Sequence, residues 1–185
     1  MNTTVVLGIV AVVLVVAVVL FFSARQRQRK KLQERFGPEY AHAVREYGDD
    51  ASAEKELAAR AQRVEQLRIR PLASDQRAKY AEYWRSTQSR FVDDPEGAIG
   101  AADTLVAEVM QARGYPMGDF EQQAADISVD HPAVVEQYRA AHAIAGRSAR
   151  GEATTEDLRQ AMVHYRALFD DLIGTHEPTR MEVHR

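Results

Sequence analysis

The chain contains no cysteine. That excludes a disulfide framework and any thiolate-held metal, and it suits a reducing compartment. No segment alternates apolar and polar residues at the period of two that a half-buried strand needs, and no Asn-Gly pair marks a hairpin. The short motifs that carry chemistry are missing as well: there is no Gly-rich phosphate loop, His-Glu-x-x-His helix, Gly-x-Ser-x-Gly elbow or calcium loop. The paired Glu-x-x-His signature of di-iron bundles is also absent. There is no repeat period and no Gly/Ser linker. From Met1 to Ala24 there is not one charged side chain.

That last absence identifies the stretch on which the chain is organised. Val5–Phe22, VVLGIVAVVLVVAVVLFF, is an unbroken apolar run of 18 residues, and Thr3–Ala24 extends the uncharged segment to 22. As a helix it covers roughly 30 Å, the thickness of a bilayer's hydrocarbon core. Valine is a poor helix former in water, but in lipid only a helix satisfies the backbone locally. The expected membrane-spanning side chains include Val5, Leu7, Ile9, Leu14, Leu20 and Phe22. A cleaved signal would need a basic start, a shorter apolar core and an Ala-x-Ala-like site. A buried core helix would show a polar face within five turns. Gly8 and Ala11 share a side but make no Gly-x-x-x-Gly dimer pattern. The reading is an uncleaved single-pass anchor.

Charge asymmetry orients it. Arg25, Arg27, Arg29, Lys30, Lys31 and Arg35 follow the run against one acid, Glu34. Basic flanks stay on the cytoplasmic side, so the expectation is an inner-membrane protein with its amino terminus outside and its body in the cytoplasm. Arg25, Arg27, Arg29, Lys30 and Lys31 are candidates to face anionic lipid heads, each worth about 1 kcal/mol near the surface. Fixing topology alone is the preferred account of them, and the two roles are compatible. Of the chain's 24 basic and 27 acidic residues the flank holds six and one, leaving 18 and 26, or −8, for the body. An acidic body repels nucleic-acid phosphates, so no nucleic-acid partner is expected.

Everything after the anchor reads as helix, giving an all-α chain: a single N-terminal transmembrane helix followed by a soluble helical bundle. Residues 1–24 are the anchor and 25–35 its basic helical extension to Gly37-Pro38. Residues 36–70 suit a stalk or hairpin, with a short helix from Pro38 and a longer one from Ser52. Residues 72–173 form a bundle of four or so helices, and 174–185, lacking periodicity, a disordered tail. Ser74, Asp94 and Thr154 are expected N-caps, Pro95 a first helical residue and Gly114 a C-cap. Tyr80, Tyr83, Trp84, Thr87 and Phe91 fall near one face of a helix. The segment 114–132 is the least regular, with a short helix around Phe120–Ala125, a further helix opening at Pro132 and a turn from Gly146 to Gly151.

Chemistry-bearing residues cluster only at Asp126, Asp130, His131 and His142. Asp130 beside His131 can orient an imidazole for acid–base work. The preferred account is that Asp130 caps the helix opening at Pro132 while His142 packs with a satisfied ring nitrogen. On that one helix the two histidines would lie roughly 16 Å apart, too far for one metal. Asp170-Asp171 sits in the last turn of its helix, where the dipole disfavours acids; a solvated face accounts for the pair, with a partner's basic residue as the alternative. No metal or cofactor is expected.

RFGPEY, LRIRPL, RFVDDP, VMQARGYP, FEQQAADISVDHP, YRAAHAIA and TEDLRQAMVHYRALFDDLI together resemble a group of uncharacterised bacterial proteins that join one amino-terminal membrane helix to a small helical body. The resemblance covers roughly residues 36–173. It implies the architecture and brings no activity or site residue with it. The expected function is accordingly a non-enzymatic module at the inner membrane face that meets the lipid bilayer and an unknown protein partner. The rival is a membrane-attached enzyme or small-ligand binder centred on Asp126–His131. A third reading places the body outside the cytoplasm.

Overall fold

The computed structural model describes the backbone of residues 3–174 and, along the first helix, the side chains at 14 and from 16 onward. Among the described residues there are eight helices and no strand. In chain order they are α1 (Thr3–Phe36), α2 (Pro38–Tyr47), α3 (Asp50–Glu65), α4 (Ser74–Arg90), α5 (Pro95–Arg113), α6 (Phe120–Asp130), α7 (Val135–Ser148) and α8 (Thr155–Leu172). The chain divides within α3 into two compact units, residues 1–58 and 59–185.

In the first unit, α1 continues without a break from the apolar run through the basic flank to Phe36, as expected from the lack of a breaker before Gly37-Pro38. Leu14, Val16 and Val18–Phe22 are exposed, from 50 to 63%. At 100° per residue the consecutive positions from Val18 encircle the helix, so no face of this stretch is covered. Among the described residues no helix is long and apolar enough to cross a membrane. The side chains of Val5, Leu7 and Ile9, on which a spanning helix also depends, lie outside the described residues, as does the tail from 175. Below the flank, Leu32, Phe36, Tyr40, Ala43, Ala53 and Leu57 are buried. The Tyr40 hydroxyl donates to Glu54 at 3.0 Å, and Arg29 Nη2 donates to Asp50 at 2.7 Å. Burial, then Glu54, pushes the Tyr40 phenol up to about 12. α3 starts two residues before the expected Ser52, because Asp49 accepts from the Ala51 and Ser52 amides and so caps it.

The second unit is a helical bundle. α8 packs between α7 and α5, with α4 laid on α5 and α6 on α7. Its core joins Trp84 of α4, Ile99, Val106 and Met110 of α5, Ile127 of α6, Tyr138 of α7, and Leu158, Tyr165, Leu168 and Phe169 of α8. Trp84 stacks on Phe169 with ring centres 4.7 Å apart. Several caps fall where expected: Asp94 accepts from the Gly97 amide at 2.9 Å ahead of Pro95, and Thr154 forms a capping box with Asp157. Gly114 ends α5 at φ 103°, and a Cβ there would stand 2.7 Å from the Arg68 carbonyl oxygen, so only glycine fits. The Arg70 amide donates to the Arg113 carbonyl at 2.9 Å, which ties the segment before α4 onto the end of α5.

Other expectations need correction. Ser74 is the first residue of α4 and not its cap; the extended residue is Ala73, whose amide is satisfied by the Gln76 side chain at 3.1 Å. Tyr83 is exposed, with the Lys79 ammonium over its ring, while Trp84 is buried. α6 runs to Asp130, well past Ala125, and α7 opens at Val135 and extends through Gly146 to Ser148. Between them, Pro132–Val134 form a turn closed by the Val134 amide on the His131 carbonyl.

Buried phenols set an alkaline limit to this unit. Burial raises the Tyr115, Tyr138 and Tyr165 pKa values far above the ordinary phenol value, and nearby carboxylates, Asp130 for the first and Asp103 for the other two, add to it. A phenol whose folded pKa exceeds its unfolded one stabilises the fold in full below about pH 10 and progressively less above it. In an alkaline titration, these three phenolates are therefore expected to appear together with the loss of helical circular dichroism. Their ionisation along an ordinary phenol curve while the helices persist would contradict the packing.

Candidate functional site

Four helix ends meet around one cavity of about 270 Å³ in the bundle. The start of α4 brings Pro71, Leu72 and Arg77; the end of α5, Arg113; the end of α6, Asp130 and His131; the end of α8, Asp171 through Gly174. His131 is there because it precedes a proline. The helical region is disfavoured for such a residue, so α6 stops at Asp130 and His131 takes φ −128°, ψ 48° as C-cap, its amide held by Ile127.

His131 is a junction. Its Nδ1 meets a carboxylate oxygen of Asp171, and its Nε2 lies 3.0 Å from Arg113 Nη1. Since a guanidinium can only donate, Nε2 is the acceptor and the ring proton sits on Nδ1, given to Asp171. Arg113 Nη1 also donates to the Leu172 carbonyl at 3.1 Å, and its guanidinium lies 5.9 Å from the centre of the Tyr115 ring. The acid pair that looked misplaced at the end of α8 is thereby accounted for within the chain. Asp171 holds His131, and Asp170 accepts from Arg166 at 3.3 Å.

Of the four residues singled out in the sequence, two line this cavity. Asp130 is exposed at its rim and accepts from the Tyr115 hydroxyl at 2.9 Å; it caps no helix. Asp126 faces elsewhere: at 1% exposure it accepts from Arg63 Nε and Gln122 Nε2, both at 2.8 Å on Oδ1, while its Oδ2 is buried without a hydrogen bond. His142, on α7, stacks on Phe120 with ring centres 3.7 Å apart and lies 3.6 Å from Asp103. His131 is not on α7, so the two histidines do not share a helix face. Arg77, Arg113 and Asp171 were not recognised as site residues. Only Asp171 left a signal, its unfavourable place at a helix C-terminus.

On the basic flank, Arg25, Arg27, Lys30 and Lys31 are exposed, whereas Arg29 is engaged with Asp50 and stands 3.7 Å from Glu54.

Asp126 carries a stability prediction. Replacing Arg63 by Met strands a buried carboxylate and is expected to cost about 3 kcal/mol, at the low end of that range because Arg63 is 38% exposed. Arg63→Met with Asp126→Leu is expected to regain most of the loss. Chemical denaturation of the three proteins checks it; equal losses in the single and double variants would contradict it.

No family model, curated protein or solved structure matches the chain.

Proposed function

We propose that this chain is a single-pass membrane protein, anchored by the first part of α1, that presents its acidic helical bundle to a protein partner at the inner face of the membrane. One observation carries the anchor: the described apolar side chains from Leu14 to Phe22 leave no face of the helix covered, and the same helix then carries the exposed cations Arg25, Arg27, Lys30 and Lys31. Leaving such side chains in water forgoes about 1.5–3 kcal/mol each, and the uncharged run extends back to Thr3. A bilayer accommodates both halves of this pattern, with apolar side chains in the hydrocarbon and cations at the head groups. The basic flank supports a cytoplasmic position for the bundle.

A catalytic reading centred on His131 has less support. Both ring nitrogens are engaged, one by Asp171 and one by Arg113, so neither is free to take a proton from a substrate. The bundle's role is therefore read as binding. A reporter enzyme active only outside the cytoplasm, fused after Ile173, tests the orientation. The expected result is a silent reporter on a stably expressed fusion. An active one would reverse the topology and turn the search for partners to the envelope. Crosslinking in intact cells that repeatedly returned no protein partner would count against the interaction role.

A further inference from the structure

We infer that the cavity at the four helix ends binds a small carboxylate ligand, with Arg77 and Arg113 as the groups that hold it. This rests on the bundle alone and does not depend on where the anchor sits. Arg77 is half-buried and lines the cavity, and its side chain makes no hydrogen bond or ion pair with any described residue; its Nε is buried without an acceptor. Arg113 also has a buried Nε without an acceptor. A charged donor group left without an acceptor is unfavourable, and the Arg77 guanidinium, without a partner among the described residues, lines the cavity beside Arg113 and is available to an oxygen acceptor bound there. The carboxylates on the same wall do not supply it: among the described residues, Asp130 is bonded to Tyr115 and Asp171 to His131.

The surroundings narrow the ligand. Asp130, Asp171 and the carbonyl ends of α5, α6 and α8 make the cavity unfavourable for a multiply charged phosphate. A single carboxylate matches the planar fork of a guanidinium. About 270 Å³ holds a molecule of amino-acid size. If the ligand also carries an ammonium group, Asp130 stands at the rim to receive it. The alternative is purely structural: Arg77 and Arg113 would then only offset the negative ends of three helices.

The test is calorimetric titration of the full chain in detergent micelles, at constant ionic strength, with propionate, alanine and inorganic phosphate as separate probes. Saturable binding of propionate or alanine is expected, with alanine the tighter if Asp130 meets its ammonium. Arg77→Gln is expected to weaken that binding at least about tenfold and not to lower the unliganded melting temperature, since the side chain bonds to nothing in the fold. Arg77→Lys is expected to recover part of the affinity. Binding that survives Arg77→Gln, preference for phosphate, or no saturable binding of either carboxylate would overturn the assignment. So would an Arg77→Gln protein that simply melts lower and binds nothing differently, because a structural role predicts that result.

Discussion

Phe169→Ala is expected to destabilise the bundle by about 3–5 kcal/mol, the range for deleting a buried aromatic side chain. Phe169 is fully buried on α8, the helix that packs against both α5 and α7, and it stacks on Trp84 of α4. Removing it takes away the ring on which Trp84 stacks and leaves a cavity in a core whose other side chains, Val106, Val109 and Leu168 among them, are already buried. Phe169→Leu retains most of the volume and is expected to cost far less, about 1–2 kcal/mol. Trp84 is the chain's single tryptophan, so its fluorescence during chemical denaturation reads the effect directly. A loss under about 1 kcal/mol for the alanine variant would mean that the core is not organised around this stack.

Leu14→Arg is expected to move much of the protein from the membrane to the soluble fraction. Leu14 lies near the middle of Val5–Phe22, where an arginine costs about 2.5–3.5 kcal/mol and a leucine contributes about 0.3–0.6. On the proposed anchoring, a second charge, Val16→Arg, is expected to complete the release, because both arginines would then need to reach water from within the hydrocarbon. Val16 is exposed in the fold, so the substitution strips no core and the bundle's thermal unfolding is expected to be unaffected. Release accompanied by unfolding of the bundle would point to a core role for this stretch instead.

Much of the fold was legible because its punctuation is chemical. Asp94-Pro95, Thr154 with Asp157, and Gly114 mark helix ends by satisfying orphan amides or by tolerating a left-handed backbone, and each does so locally. The uncharged run and its basic flank are equally local signals, and α1 does continue through the flank to Phe36. The failures came where one residue served two rules. Pro132 reads as the first residue of a helix, but its effect on the preceding residue prevailed: His131 left the helical region and capped α6, and a turn intervened before α7. Ser74 looked like a cap by type, whereas the extended residue is Ala73, its amide held by the Gln76 side chain, and Ser74 is already helical.

The cavity was only half legible for a different reason. Asp130 and His131 are adjacent in sequence and draw attention, but Arg77, Arg113 and Asp171 come from three other helices and meet only through tertiary packing. Asp171 could be noticed because it stands where the helix dipole disfavours an acid. Arg113 is a favourable last-turn residue and Arg77 an ordinary position in the first turns of α4, so neither stands out along the chain. Asp126 drew attention for its neighbours and turned out to belong with Arg63 on α3.

The most direct measurement is alkaline carbonate extraction of membranes from cells expressing the full chain, beside a chain lacking residues 1–24. The full chain is expected to stay with the sedimented bilayer and the shortened chain to be released to the supernatant. Release of the full chain by carbonate would contradict the anchor, and the exposed apolar surface from Leu14 to Phe22 would then have to be covered by protein.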